Sequence, residues 1–278
     1  MIKMGTIWDR TVAVIGDRTA ALTPIVLALI FVPLCIQGIS TPAMEVAGEG
    51  TRALLALVLL ALSLLMLWGQ LSIVALVVEP GSSARAAAGL GGRRLLPDLG
   101  ISIVVGLIFL AFALPVIVAV AAAGGDWVAT GPGHWMLATP LPAGIKLFVG
   151  LYMLVYVVFF IWAAARLALL HSVIVAERRG IAAIKRAFQL TRGLALKIIG
   201  VLILFLIVFA VCSMAVSAVL GSVFQLLFGG DGAITLATVL TAIASAAVTT
   251  AFTTLASVFA AELYLAARAL RDAPVEAE

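Results

Sequence analysis

Charged side chains are scarce in this chain. Only 11% of its 278 residues are Asp, Glu, Lys or Arg, 64% are hydrophobic, and the mean hydropathy is +1.27. That balance leaves too little polar surface for a soluble globule and indicates a multispanning membrane protein. Cysteine is nearly missing, which excludes a disulfide-built scaffold. Cys35 and Cys212 each stand inside an apolar run, where buried free thiols are expected. With only two histidines, His134 and His171, the chain is also poor in the residue most used for acid-base and metal chemistry.

What the chain does have is long apolar runs. Those from Ala20 to Ile39, Arg52 to Val78, Leu99 to Gly124, Gly144 to Val175, Leu196 to Phe228 and Ala233 to Ala267 each meet or exceed the roughly 20 residues a helix needs to cross hydrocarbon. The fold class is therefore all-α, a polytopic bundle of six transmembrane helices. The fourth and sixth runs are long enough to tilt or to project beyond the bilayer. The first run follows Lys3, Arg10 and Arg18, yet no small-x-small cleavage site closes it, so an uncleaved first span is expected.

The runs come in pairs, each pair preceded by a short arginine-bearing amphipathic stretch. Val77-Val78-Glu79 leads through Arg85, Arg93 and Arg94 to Leu99-Gly100, and Ile174-Val175-Ala176-Glu177 leads through Lys185, Arg186 and Arg192 to Ile199-Gly200. A third copy opens the chain, with Ile7, Thr11, Val14 and Ile15 on one helix face. One membrane domain over 1–272 is expected, in tandem units of about 4–78, 81–176 and 179–268 with three interfacial helices, followed by a short cytoplasmic tail at 273–278. Of 17 basic residues, only Arg52 and Lys146 fall on the side of the loops 40–51, 125–143 and 229–232. The positive-inside bias puts the others, and both termini, in the cytoplasm. Trp127 and Trp135 on one side, and Trp68, Trp162 and Tyr264 on the other, fit interfacial aromatic belts.

The third joint is the best marked. Arg166 stands inside the end of a span, Glu177 follows, then Gly180, the basic stretch Ile184-Lys185-Arg186 and the exit Leu190-Thr191-Arg192-Gly193. This pattern resembles the membrane domain that some bacteria attach to glycerophosphodiester phosphodiesterases, a family similar to the YciC-type inner-membrane proteins. The resemblance implies a helical protein of the bacterial inner membrane and supplies no catalytic residues. His171 departs from it, standing near where the family favours a proline.

Candidate sites gather at this joint. Arg178, Arg179, Lys185, Arg186, Arg192 and Lys197 lie within twenty residues, while Ile181, Ile184 and Phe188 share a face and Leu190 falls off it. A helix of that kind lies in the headgroup layer, where each basic residue contributes about 1 kcal/mol of attraction to an anionic leaflet. These six residues are candidate contacts for headgroups of anionic membrane lipids, against positive-inside anchoring without selectivity. Arg166, with Glu177 or Glu262, reads as a structural pair between the fourth and sixth spans, or as part of a headgroup pocket. On the sixth span, Thr238, Thr241, Ser245, Thr249 and Thr253 recur at helical spacing; they suit close helix approach, or a polar track with Tyr152 and Tyr156 opposite.

Other functions fit poorly. Metal-assisted hydrolysis needs carboxylates and a histidine in one pocket, and the 37 residues between His134 and His171 place them on opposite membrane faces. No phosphate-binding glycine loop, haem motif or serine nucleophile elbow occurs, so neither catalysis nor a cofactor is expected. The net charge of +4 is explained by topology, which argues against nucleic-acid binding. The expected role is non-catalytic, a protein that interacts with or organises lipids as a scaffold or anchor; transport of a lipid or other amphiphile is the alternative, with a polar cavity open to one side as its sign.

Overall fold

The structure, a computed structural model, describes residues 2–125, 127–131, 134–137, 141–177, 180–230, 232 and 234–272, with side chains for all of these except 45 and 127–137. Arg178, Arg179 and the expected tail 273–278 lie outside them. Six helical segments are long and apolar enough to cross a membrane: Thr19–Met44, Glu49–Val78, Ala84–Ala122, Ala143–Glu177, Ala195–Phe228 and Leu236–Asp272. The protein is an all-α multi-pass membrane bundle. The loop between the third and fourth spans adds an antiparallel hairpin of β1 (Trp127–Gly131) and β2 (His134–Leu137), which apolar patterning alone does not announce.

The first unit begins with α1 (Met4–Asp17), which buries Ile7 and Thr11 and packs on the end of the last helix. The first span is α2 (Thr19–Val26), a π-helical segment (Leu27–Phe31) and α3 (Val32–Val46). Pro33 explains the π segment, because its ring clashes with the carbonyl four residues back, at Leu29, and a widened turn relieves the clash. The second span is α4 (Glu49–Val78), and Gly69 lets it close on Leu29 and Ile30.

The second unit departs from expectation. Its amphipathic stretch and the third span form one helix, α5 (Ala84–Ala122), whose 39 residues extend about 58 Å. Only two separate interfacial helices are present among the described residues. In the third unit α8 (Ala182–Leu190) ends where Gly193 takes φ of +80°, before α9 (Ala195–Met214). The equivalent position in the second unit is Leu95, whose Cβ disfavours that conformation, so the chain stays helical.

The fourth span divides into α6 (Ala143–Leu167) and α7 (Leu170–Glu177); the fifth continues from α9 through a π segment (Ala215–Leu220) into α10 (Gly221–Phe228); the sixth is α11 (Leu236–Asp272). Burial is concentrated at one end of the bundle, where α1, α7 and α8 meet the ends of α4 and α11. Leu71 through Val77, Leu169, Val173, Leu263 and Tyr264 are buried there. We term this the basic end, since Arg186, Arg192, Lys197 and Arg271 lie on it. Toward the opposite end α5, α6 and α9 expose Leu107, Leu151, Val155, Leu204 and Val211, an apolar belt of the kind a bilayer covers. Cys35 and Cys212 are free but half-buried, not the fully buried thiols expected.

Candidate functional site

At the basic end, α8 rests on the bundle through Ala183, Ala187 and Leu190, all buried, while Ile184 and Phe188 are half-buried and Ile181 is 69% exposed. The face expected to enter lipid is therefore rotated. Alanines allow α8 to approach α7 and α11 closely, and that approach recruits Leu190 to the core. It also brings Arg186 between two carboxylates. Its Nε donates to Glu177 Oε1 at 3.0 Å and its Nη2 to Asp272 Oδ1 and Oδ2 at 2.9 Å each, while the Tyr264 hydroxyl donates to Glu177 Oε1 at 3.2 Å. The bonds to Asp272 first, and to Glu177 second, raise the Arg186 guanidinium above its ordinary pKa. Arg186 is thus a tie between helix ends, not a free headgroup contact.

The expected pairing of Arg166 is also corrected: Arg186, not Arg166, meets Glu177. Arg166 Nη1 donates to the Phe188 carbonyl at 3.2 Å, and its guanidinium lies 5.6 Å from the Trp162 ring centroid and 5.7 Å from that of Phe188. Trp68 does the same job one unit earlier, its indole N–H donating to the Ala88 carbonyl at 2.7 Å. Each stands eleven residues before its joint glutamate, Glu177 or Glu79, and each fastens a span to the amphipathic segment that follows. Glu262 is buried on α11, and the cation acting on it is Arg10 of α1.

Three other cations converge. Arg192, Lys197 and Arg271 line a cavity of about 180 Å³ whose remaining walls are Ile2, Leu190, Gly193, Leu194, Ala267 and Leu270. Among the described residues no carboxylate lines it. Arg271 Nη2 donates to the Arg192 carbonyl at 2.9 Å and Lys197 Nζ to the Ile2 carbonyl at 3.3 Å, so backbone oxygens hold the cations without neutralising them. Across Ile2 and Leu270 a second cavity, about 340 Å³, carries Lys3 and Arg10. Lys185 is exposed on α8. Arg192 and Lys197 thus come together, and Arg271, Lys3 and Arg10 join them from both ends of the chain, which no local pattern could announce.

Sequence reasoning also missed a buried carboxylate–imidazole contact. Asp98 on α5, fully buried, lies 2.7 Å from Nδ1 of His171 on α7. A signal was present, since Asp98 is the one acidic residue in the 39 residues of α5. His171 lines a mainly apolar cavity of about 270 Å³ with Trp8, Gln70, Ser172 and Ser257. Near the opposite end, α3, α10 and α11 enclose a groove of about 620 Å³, lined by Gln37, Thr41, Gln225, Thr238, Thr241, Ser245 and Thr249. Gln37 and Gln225 supply the facing polar groups. Tyr152 and Tyr156 do not; their hydroxyls donate to the α5 carbonyls of Phe112 and Phe109, at 2.7 and 3.5 Å. Close approach holds as well: a Cβ on Gly38 would stand 2.9 Å from that of Ala242.

No protein-family model, curated protein or solved structure matches the chain. Its chemistry is therefore read from the geometry alone. Among the described residues no three His, Cys, Asp or Glu side chains gather as a metal would require. The arrangement offers a cavity with three cations at one end and a hydroxyl-rich groove without charged described residues near the other.

Proposed function

We propose that the protein is a non-catalytic component of the bacterial inner membrane that binds and organises anionic lipids at its basic end, with that end in the cytoplasm. One observation carries this reading: Arg192, Lys197 and Arg271 surround one cavity whose other described lining residues are uncharged. Phosphate oxygens accept hydrogen bonds from such a cluster while the acyl chains follow the apolar helix surface, and basic pockets between spans suit acidic headgroups. The resemblance to phosphodiesterase-associated membrane domains agrees with a scaffold or anchor for a lipid-directed partner.

Native mass spectrometry of protein extracted with its lipids tests the reading. Arg192→Gln, Lys197→Gln and Arg271→Gln together are expected to abolish selective retention of an acidic phospholipid by protein that still unfolds cooperatively on heating. Equal acidic-lipid retention by the variant and the parent protein overturns it.

The groove favours a second reading, passage of an amphiphile. Its polar face on α11 continues toward the His171 cavity, interrupted by Phe252, which packs edge-on against Phe205 and Phe209 at 5.1 and 5.2 Å. Phe252→Ala should then accelerate lipid flip in reconstituted vesicles, and an unchanged rate counts against passage.

A further inference from the structure

The Asp98 and His171 pair plays no part in the lipid site proposed above, and it is costly to bury. Asp98 is 0% exposed, and its Oδ2 has no hydrogen-bond partner. Beside it, Ser172 is also 0% exposed, its Oγ unpartnered, and it lines the same cavity as His171. Buried polar groups without partners are destabilising, so their presence beside an open space points to a ligand.

The cavity has direction. Trp8, His171 and Ser172 stand nearer the basic end, while Ala164, Phe205 and Ala256 lie about two helical turns deeper, roughly 10 Å at ~1.5 Å per residue. Ile198, Val201, Leu202 and Phe205 make an apolar wall. At the rim, Trp8 is 44% and Leu202 37% exposed, on surface that faces lipid.

Charge narrows the ligand. No described Lys, Arg, Asp or Glu lines the cavity. A carboxylate or phosphate would meet no free cation and would approach the buried Asp98. Asp98 Oδ1 lies 2.7 Å from His171 Nδ1, and the tautomer that donates Nδ1–H to this carboxylate presents the Nε2 lone pair as an acceptor. Trp8 and Gln70 add N–H donors. A hydroxyl is the smallest uncharged head that donates one hydrogen bond and accepts another.

We infer that this cavity binds an aliphatic amphiphile with an uncharged hydroxyl head, its hydroxyl donating to His171 Nε2 and its chain running along α9 toward Phe205. The site is separate from the cationic cavity, and the two succeed or fail independently.

The test uses the full-length protein in lipid nanodiscs and a dodecanol carrying a terminal diazirine. Irradiation should label residues near Phe205 and Ala256. Unlabelled 1-dodecanol should compete at least about tenfold better than dodecanoate or dodecylamine, the ratio expected where about 1.4 kcal/mol separates them. His171→Gln should lower labelling about as much. Because that change strands Asp98, Ala256→Phe, which fills the cavity and leaves the Asp98 to His171 contact intact, is the second variant. Labelling that is not saturable, that dodecanoate suppresses as well as dodecanol does, or that persists in folded Ala256→Phe overturns the inference.

Discussion

Arg186 is the residue on which the basic end turns, because three helices meet through its guanidinium. Side-chain exposure is 16% for Arg186 and 9% for Glu177, so water competes weakly there, while Asp272 at 45% is more screened. A hydrogen bond to a charged group contributes about 1.5–3 kcal/mol. Arg186→Gln is expected to lower stability by about 2 kcal/mol and Lys185→Gln to leave it unchanged, read as melting temperatures of the purified variants. Equal melting of Arg186→Gln and the parent protein would show that the tie contributes nothing. The pH dependence has a definite sign. A cation whose folded pKa is raised contributes stability that is present below its unfolded value and is lost only as pH rises through the folded one. Since Arg186 is raised above the ordinary guanidinium value, its contribution should stay constant between about pH 6 and 9. The sequence shows a crowd of arginines at this joint. It does not show which of them meets a carboxylate, because that depends on Asp272, 86 residues further on.

At the scale of elements, the spans are legible since each needs only a long apolar run, and the structure has all six, the third beginning at Ala84 and not near the expected Leu99. Element ends are less legible. Gly193 looks like one more glycine in a polar exit, yet its φ of +80° separates α8 from α9. Its counterpart Leu95 leaves α5 unbroken, so two joints with similar charge patterns end differently. Gly193→Ala forces a Cβ into the left-handed region and is expected to cost about 1 kcal/mol, with Gly193→Asn costing less. Chemical or thermal unfolding of the two variants measures this, and a stable alanine variant would mean that the exit turn tolerates another conformation. The Asp98 to His171 pair escapes a sequence reading because it joins residues 73 apart, whereas hydropathy reports only on neighbours along the chain.

Over the whole molecule, packing and charge are polarised together. The buried core lies where α1, α7 and α8 close over the ends of α4 and α11, and toward the opposite end the third, fourth and fifth spans diverge into lipid-facing surface. Arg52 and Lys146 are the only basic residues beyond that far end, one at the start of α4 and one at the start of α6. Moving the crowded end across a bilayer would carry many desolvated cations through hydrocarbon, each at about 2.5–3.5 kcal/mol on insertion scales, whereas the far end carries two. One orientation should therefore dominate. In a Cys35→Ala, Cys212→Ala background, single cysteines at Thr51 and Lys185 probe opposite ends, and both native residues are exposed. A membrane-impermeant maleimide added to spheroplasts should label the Thr51 position and spare Lys185 until the membrane is permeabilised. The reverse pattern would move the cationic cavity to the outer leaflet and with it the lipids available to Arg192, Lys197 and Arg271. Equal labelling of both positions in intact spheroplasts would mean two orientations coexist, and the charge asymmetry would then be too weak to direct insertion.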